Sequence, residues 1–140
     1  MNAKFWITGV VLFVVTMAIG FLVHGTLLHP EYEALPSIMR NGPDAMAHFP
    51  YLLLAHVFFS FGVAWIYQQG VKPGVPWLTQ GIRFGIALAL VTPVYMYLVY
   101  FSVEPMPAGL VAKQIIFDAI GCIIVGLVAA FINKPAAAAE

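Results

Sequence analysis

The stretch IIFDAIGCIIVGLVAAFI, residues 115–132, carries a single charged side chain, Asp118. A helix needs about 20 mostly apolar residues to cross a hydrocarbon core of about 30 Å, so this run predicts a transmembrane helix. A membrane β-strand would instead alternate polar and apolar positions. IIVGLVAA does not alternate, and neither do LFVV, YLLLA and ALALV elsewhere in the chain. Lipid offers no water to an open backbone, so only helices remain.

Three other runs have the same character. Phe5–Val23 and Phe84–Val103 carry no charge, and Phe49–Tyr67 carries only His56. With their flanks, the expected spans are 5–24, 48–68, 81–102 and 110–132. They form one all-α domain over residues 1–134, an antiparallel bundle of four transmembrane helices, with 135–140 (PAAAAE) read as a flexible tail. Short Gly- and Pro-rich connections between the later spans make consecutive helices antiparallel neighbours. The longer first loop holds Leu35, Ile38 and Met39 among polar residues, which suggests a short interfacial helix over Tyr32–Met39. The opening MNAKFW followed by an apolar run has some signal-peptide character. The run is long, however, and ends Val23-His24-Gly25 without a small-x-small cleavage site, so it reads as a retained first helix.

Composition agrees with a membrane protein. Hydrophobic residues make up 62% of the chain and charged residues 9%, against about 45–50% and about 25% in soluble domains. A soluble globular enzyme and a disordered chain are both excluded. The zero formal charge leaves no basic field for nucleic acid, so the expected partner is the lipid bilayer. Lys4, Lys72, Arg83 and Lys134 fall on one side of the bundle, and Arg40 and Lys113 on the other. The excess of Lys and Arg places both termini in the cytoplasm. Trp6, Trp65 and Trp77 form an aromatic belt on that same side.

Few residues offer chemistry. His24 ends the first span, His29 follows it, and His48 opens the second. In antiparallel helices His24 and His48 lie at similar depth. They are candidate axial ligands for haem, or, with His29, candidate metal ligands. No HxxxH or CxxC spacing supports either role, and interfacial placement explains all three equally, so no cofactor is the leading expectation. Asp118 is more telling, because a carboxyl inside a span costs at least about 2.5 kcal/mol and rarely faces lipid. At about 1.5 Å per residue, His56, Tyr95 and Tyr97 can reach its layer. A buried His56–Asp118 site is therefore expected, either as a clasp holding the bundle or as a proton-binding site. Arg83 and Lys72 are candidates for lipid headgroup contact. Gly81, Gly85 and Ala89 form a small-xxx-small ladder for close helix packing, within the chain or with another copy. Thr92-Pro93 predicts a kink in the third span.

The segment GFLVHGTLLHPEYEALPSIMR (20–40), together with QGIRFG (80–85), resembles small four-helix inner-membrane proteins of bacteria. The resemblance implies a four-helix bundle in the bacterial plasma membrane. It brings no assigned activity, so no functional residue is carried over from it. Small multidrug transporters share the size and helix count, but their mechanism needs an acid in the first helix, and Phe5–Val23 has none. Four-helix thiol oxidoreductases need a CxxC pair, and Cys122 stands alone. A membrane enzyme would need a nucleophile–base pair or a metal triad, and neither is evident. The leading expectation is a non-catalytic membrane subunit or scaffold that packs against itself or a larger complex. The alternative is a small transporter, or a haem- or metal-binding protein, built on His56 and Asp118.

Overall fold

The computed structural model describes residues 2–40 and 42–134. Helix α1 (Ala3–Leu22) runs on through a π-helical turn, Val23–Leu27. A short α2 follows over His29–Glu33, then the long α3 over Gly42–Gln69. Helix α4 (Trp77–Ala89) passes through a second π-helical turn, Leu90–Val94, into α5 (Tyr95–Val103). Helix α6 covers Ala108–Asn133. Four continuous helical segments, Ala3–Leu27, Gly42–Gln69, Trp77–Val103 and Ala108–Asn133, are long and apolar enough to cross a membrane. The chain is an all-helical, multi-pass membrane bundle.

Each segment is longer at both ends than the span expected for it. Hydropathy detects the part of a helix that matches lipid, whereas capping sets where the helix stops. Asn2 extends α1 by accepting from Phe5 N at 3.0 Å, an N-cap bond that satisfies an otherwise orphaned donor. Pro76 and Pro107 immediately precede α4 and α6. The 28 residues of α3 rise about 42 Å, more than the hydrocarbon core requires. The interfacial helix expected over Tyr32–Met39 lies earlier, at His29–Glu33, where Pro30 suits a first helical turn. Leu35, Ile38 and Met39 follow in turns and pack over Val23, Leu28 and Leu110, so the loop caps that end of the bundle. The expectation for 135–140 falls outside the described residues.

The helices do not form a closed square. Helices α1 and α6 meet at the centre, α4 and α5 lie on α6, and α3 lies mainly on α1. The α4–α6 contact is backbone to backbone. A Cβ on Gly85 would sit 2.6 Å from Ile123 Cα and 2.8 Å from the Cys122 carbonyl oxygen. One on Gly126 would run into the Gly81 carbonyl and the Gly85 backbone. The ladder Gly81–Gly85–Ala89 therefore finds its partner within the same chain. Gly9 plays a similar part on α1, where the Phe61 ring of α3 occupies the space of a side chain. The expected break at Thr92-Pro93 takes the form of the second π-helical turn. There the ring's missing N–H and the Thr92 hydroxyl bond to Leu88 O, 2.7 Å, are absorbed in a wider loop of backbone.

The two kinds of glycine should behave oppositely. Gly85→Ala should cost about 1–3 kcal/mol, because backbone atoms have to give way. Gly62 has open space around its Cβ position, so Gly62→Ala should be neutral or stabilise by up to about 1 kcal/mol. Thermal unfolding in detergent, read for both variants against the wild type, checks the pair.

Candidate functional site

Gln114 and Asp118 are one helical turn apart on the same face of α6. Asp118 lies about 15 Å along the helix from Ala108, inside the span, where an isolated carboxyl is expensive. Two other elements bond it directly, and a third reaches it through one of them. Tyr97 of α5 donates to Asp118 Oδ2 at 2.6 Å. His24, in the π-helical turn after α1, places Nε2 3.1 Å from Asp118 Oδ1. The other ring nitrogen of His24, Nδ1, is 2.6 Å from the hydroxyl of Tyr32 on α2, and the two rings stack with 19° between planes. Gln114 Nε2 closes the chain by donating to Tyr32 Oη at 3.2 Å.

One arrangement of protons uses every one of these contacts. Tyr32 accepts from Gln114 and donates to His24 Nδ1. His24 then carries its proton on Nε2 and donates to Asp118, which accepts from Tyr97 on its second oxygen. This describes a neutral imidazole beside an ionised carboxylate with two donors, and such charge-assisted bonds are the strong ones. Burial pushes the Tyr32 phenol above its ordinary range; the Gln114 bond partly offsets that, while the charges of Asp118 and Glu31 add to it. Tyr32 therefore stays a donor at neutral pH. At the rim, Lys113 Nζ meets Glu31 Oε1 at 2.7 Å and fastens α2 to α6. The side chains of His24 and Asp118 remain 34% and 20% exposed. Gln114 is 3% exposed, and its Oε1 has no hydrogen-bond partner among the described residues.

The expected His56–Asp118 pair does not form. His56 Nδ1 bonds Leu52 O on its own helix at 2.8 Å, and its Nε2 lies beside Gly20 of α1. Helix α1 stands between α3 and the Asp118 face of α6, so equal depth does not bring the two side chains together. His24, from the intervening helix, takes the place assigned to His56. Tyr97 reaches Asp118, whereas Tyr95 points outward and is 60% exposed. Of the two candidate axial ligands, His24 has both nitrogens engaged within the network, and His48 Nδ1 bonds Asp44 O at 2.8 Å. His29 lies 3.4 Å from Glu33 on α2. His24, His29 and His48 are thus dispersed, and the described residues contain no group of three or more potential metal ligands from His, Cys, Asp and Glu. Arg83 and Lys72 line a cavity at the far end of the bundle.

Sequence reading misses Tyr32 and Gln114. The i,i+4 spacing of Gln114 and Asp118 is a usable signal, since it places a second polar group on the face that avoids lipid. Tyr32 could not be found this way, because its position depends on how the loop folds back. Searched against protein-family models, curated proteins and solved structures, the chain matches none.

Substitution at Asp118 tests the network. Asp118→Asn should keep the fold. The amide oxygen still accepts from Tyr97, and its NH₂ can donate to His24 once the imidazole proton moves to Nδ1. Asp118→Leu should lower stability by about 1–3 kcal/mol, since it leaves His24 Nε2 and the Tyr97 hydroxyl without a partner. Thermal unfolding of the two variants in the same detergent separates these outcomes.

Proposed function

We propose that the chain is a non-catalytic integral subunit of a bacterial inner membrane, with both termini cytoplasmic, which packs against copies of itself or a larger membrane complex. The observation that carries the reading is that polar side chains within the spans are joined to one another across helices. Asp118, His24 and Tyr97 tie α1, α5 and α6. Thr16 and Ser60, 3.3 Å apart and buried, tie α1 to α3. Asn133 donates to Thr8 Oγ1 at 3.0 Å and accepts from Gln68 Nε2 at 2.9 Å, tying α6, α1 and α3. Such groups act as glue between helices that lack a hydrophobic drive to associate in lipid. Outward, α3 exposes Leu52, Leu54, Phe58, Trp65 and Ile66, a face suited to lipid or a partner helix. The bacterial setting rests on the resemblance of residues 20–40 and 80–85, and the orientation on the surplus of Lys and Arg at one end.

A second reading, a proton-binding site, is favoured by the one-third exposure of His24 beside an acid within the span. Native-membrane extraction into lipid discs separates the two. A subunit should emerge as an assembly heavier than one 15.3 kDa chain, and Asp118→Asn should leave that assembly intact. A lone chain would overturn the subunit reading. Loss of a pH-dependent flux on Asp118→Asn, with stability unchanged, would favour the proton site.

Orientation is checked by thiol labelling in a Cys122→Ala background. Ser37→Cys should react from outside intact cells, and Val71→Cys only after permeabilisation. The opposite pattern would invert the topology.

A further inference from the structure

The charges of the bundle are distributed unevenly between its ends. At the end with the 28–41 and 104–107 connections, both cations have acidic partners. Arg40 grips both carboxylate oxygens of Asp44 at 3.0 and 2.8 Å, and Lys113 meets Glu31 at 2.7 Å. At the other end lie Lys4, Lys72, Arg83 and Lys134, and no ion pair joins any of them to a carboxylate among the described residues. The acids among those residues, Glu31, Glu33, Asp44, Glu104 and Asp118, all belong to the first end or to the network below it. Asp118 is fifteen residues from Asn133, about 22 Å along α6.

Two adjoining cavities, of about 250 and 160 Å³, open at this basic end, and Tyr67, Lys72 and Gln80 line both. The larger lies between the end of α3 and the start of α4, where Arg83 joins Lys72. Its walls are built rather than incidental. Gln80 Oε1 accepts from Lys72 N at 2.8 Å, and Gln80 Nε2 donates to Lys72 O at 3.2 Å and to Val75 O at 2.9 Å. That clamp fixes the 70–76 loop, which Gly74 turns with φ +78°, and with it the backbone of Lys72, one of the lining residues. The Tyr67 and Phe84 rings meet edge to face, 5.1 Å between centroids, on the apolar side. The smaller cavity adds Lys134, whose Nζ stands 3.9 Å over the Phe131 ring. Trp6, Trp65 and Trp77 surround this end and are 36–55% exposed, a position typical of the membrane–water interface.

We propose that the cavity between α3 and α4 holds the phosphate of an anionic phospholipid headgroup, with Arg83 and Lys72 as its cationic ligands. The guanidinium offers a two-donor fork that matches phosphate oxygens, and the ammonium adds a point charge. Basic pockets between transmembrane helices at one membrane face suit such headgroups. A free phosphate has the same chemistry. The tryptophan belt and the apolar side of the cavity favour the lipid-borne form, because they set the pocket at headgroup depth. The inference does not depend on which face is cytoplasmic.

The test uses the full chain in lipid discs of phosphatidylcholine with added phosphatidylglycerol, and counts bound lipid by native mass spectrometry. The wild type should retain phosphatidylglycerol in preference to phosphatidylcholine. Lys72→Gln should lower that preference about fivefold, and adding Arg83→Gln should lower it about fivefold again. Arg83→Lys, which keeps the charge and loses the fork, should fall between. Arg40→Gln with Lys113→Gln, at the opposite end, should leave the preference unchanged. Lys72 is an exposed loop side chain whose backbone makes the clamp, so Lys72→Gln decides the matter even if an Arg83 variant fails to fold. A preference that survives Lys72→Gln, or that falls equally with the opposite-end pair, would overturn the proposal. So would stabilisation by inorganic phosphate in pure phosphatidylcholine discs that matches the effect of phosphatidylglycerol, since the site would then serve a soluble anion.

Discussion

Where α4 crosses α6, Gly126 lies against the Gly81 carbonyl and the Gly85 backbone, with no side chain between them. In lipid there is little hydrophobic gain from joining two apolar helices, so close approach and the dispersion it permits have to supply the attraction. This contact sets the register of the second half of the molecule. The fourth-residue row Gly81, Gly85, Ala89, Pro93, Tyr97 runs antiparallel to Ala130, Gly126, Cys122, Asp118, Gln114. In a regular helix such a row drifts about 40° around the axis at each step, which would carry Tyr97 about 160° from Gly81. The π-helical turn Leu90–Val94 holds more residues per turn and unwinds part of that drift. Tyr97 is thereby returned to the α6 side, within 2.6 Å of Asp118.

The polar groups then sit in layers. Gln68, Asn133 and Thr8 join three helices at one end, Thr16 meets Ser60 in the middle, and the His24–Asp118 network lies toward the other end. A hydrocarbon setting makes each unpaired group costly, so every layer also limits how the helices can slide. Thr92 and Cys122, 3.6 Å apart, continue the contact between the glycine crossing and the network. The first π-helical turn, Val23–Leu27, has the same effect on α1 as the second has on α4–α5. His24 stands at its start, facing α6 and Tyr32.

What the sequence discloses is the axial coordinate. Apolar runs locate the four spans, and counting residues from the helix ends puts Asp118 and Tyr97 in one layer. The angular coordinate is hidden. Residue counting sets His56 in the layer of Asp118 and His24 level with His48; that His24 is the one to reach Asp118 follows from α1, not α3, lying against α6. No periodicity in these nearly uniform apolar runs reports that order. The π-helical turns deepen the problem, because one wide turn shifts every later residue relative to a regular helical projection. Tyr32 depends on a loop that folds back over Leu28 and Leu110, a long-range packing event with no local mark. The small-residue ladder was legible because glycine spacing is itself the contact.

Burial is shared very unequally among the helices. Helix α6 buries nine of its 26 residues, from Leu110 to Ala130, whereas α3 buries four of 28, and Ser60, Val63, Ala64 and Tyr67 all lie in its final third. Free energy of opening follows such contact density. The first two-thirds of α3, from Gly42 through Phe59, has no fully buried residue and is held by fewer protein contacts than its last ten residues. The Asp118 network involves no residue of that helix. The bundle thus has a densely packed body of α1, α4, α5 and α6 and one helix whose fully buried residues gather toward its Gln69 end.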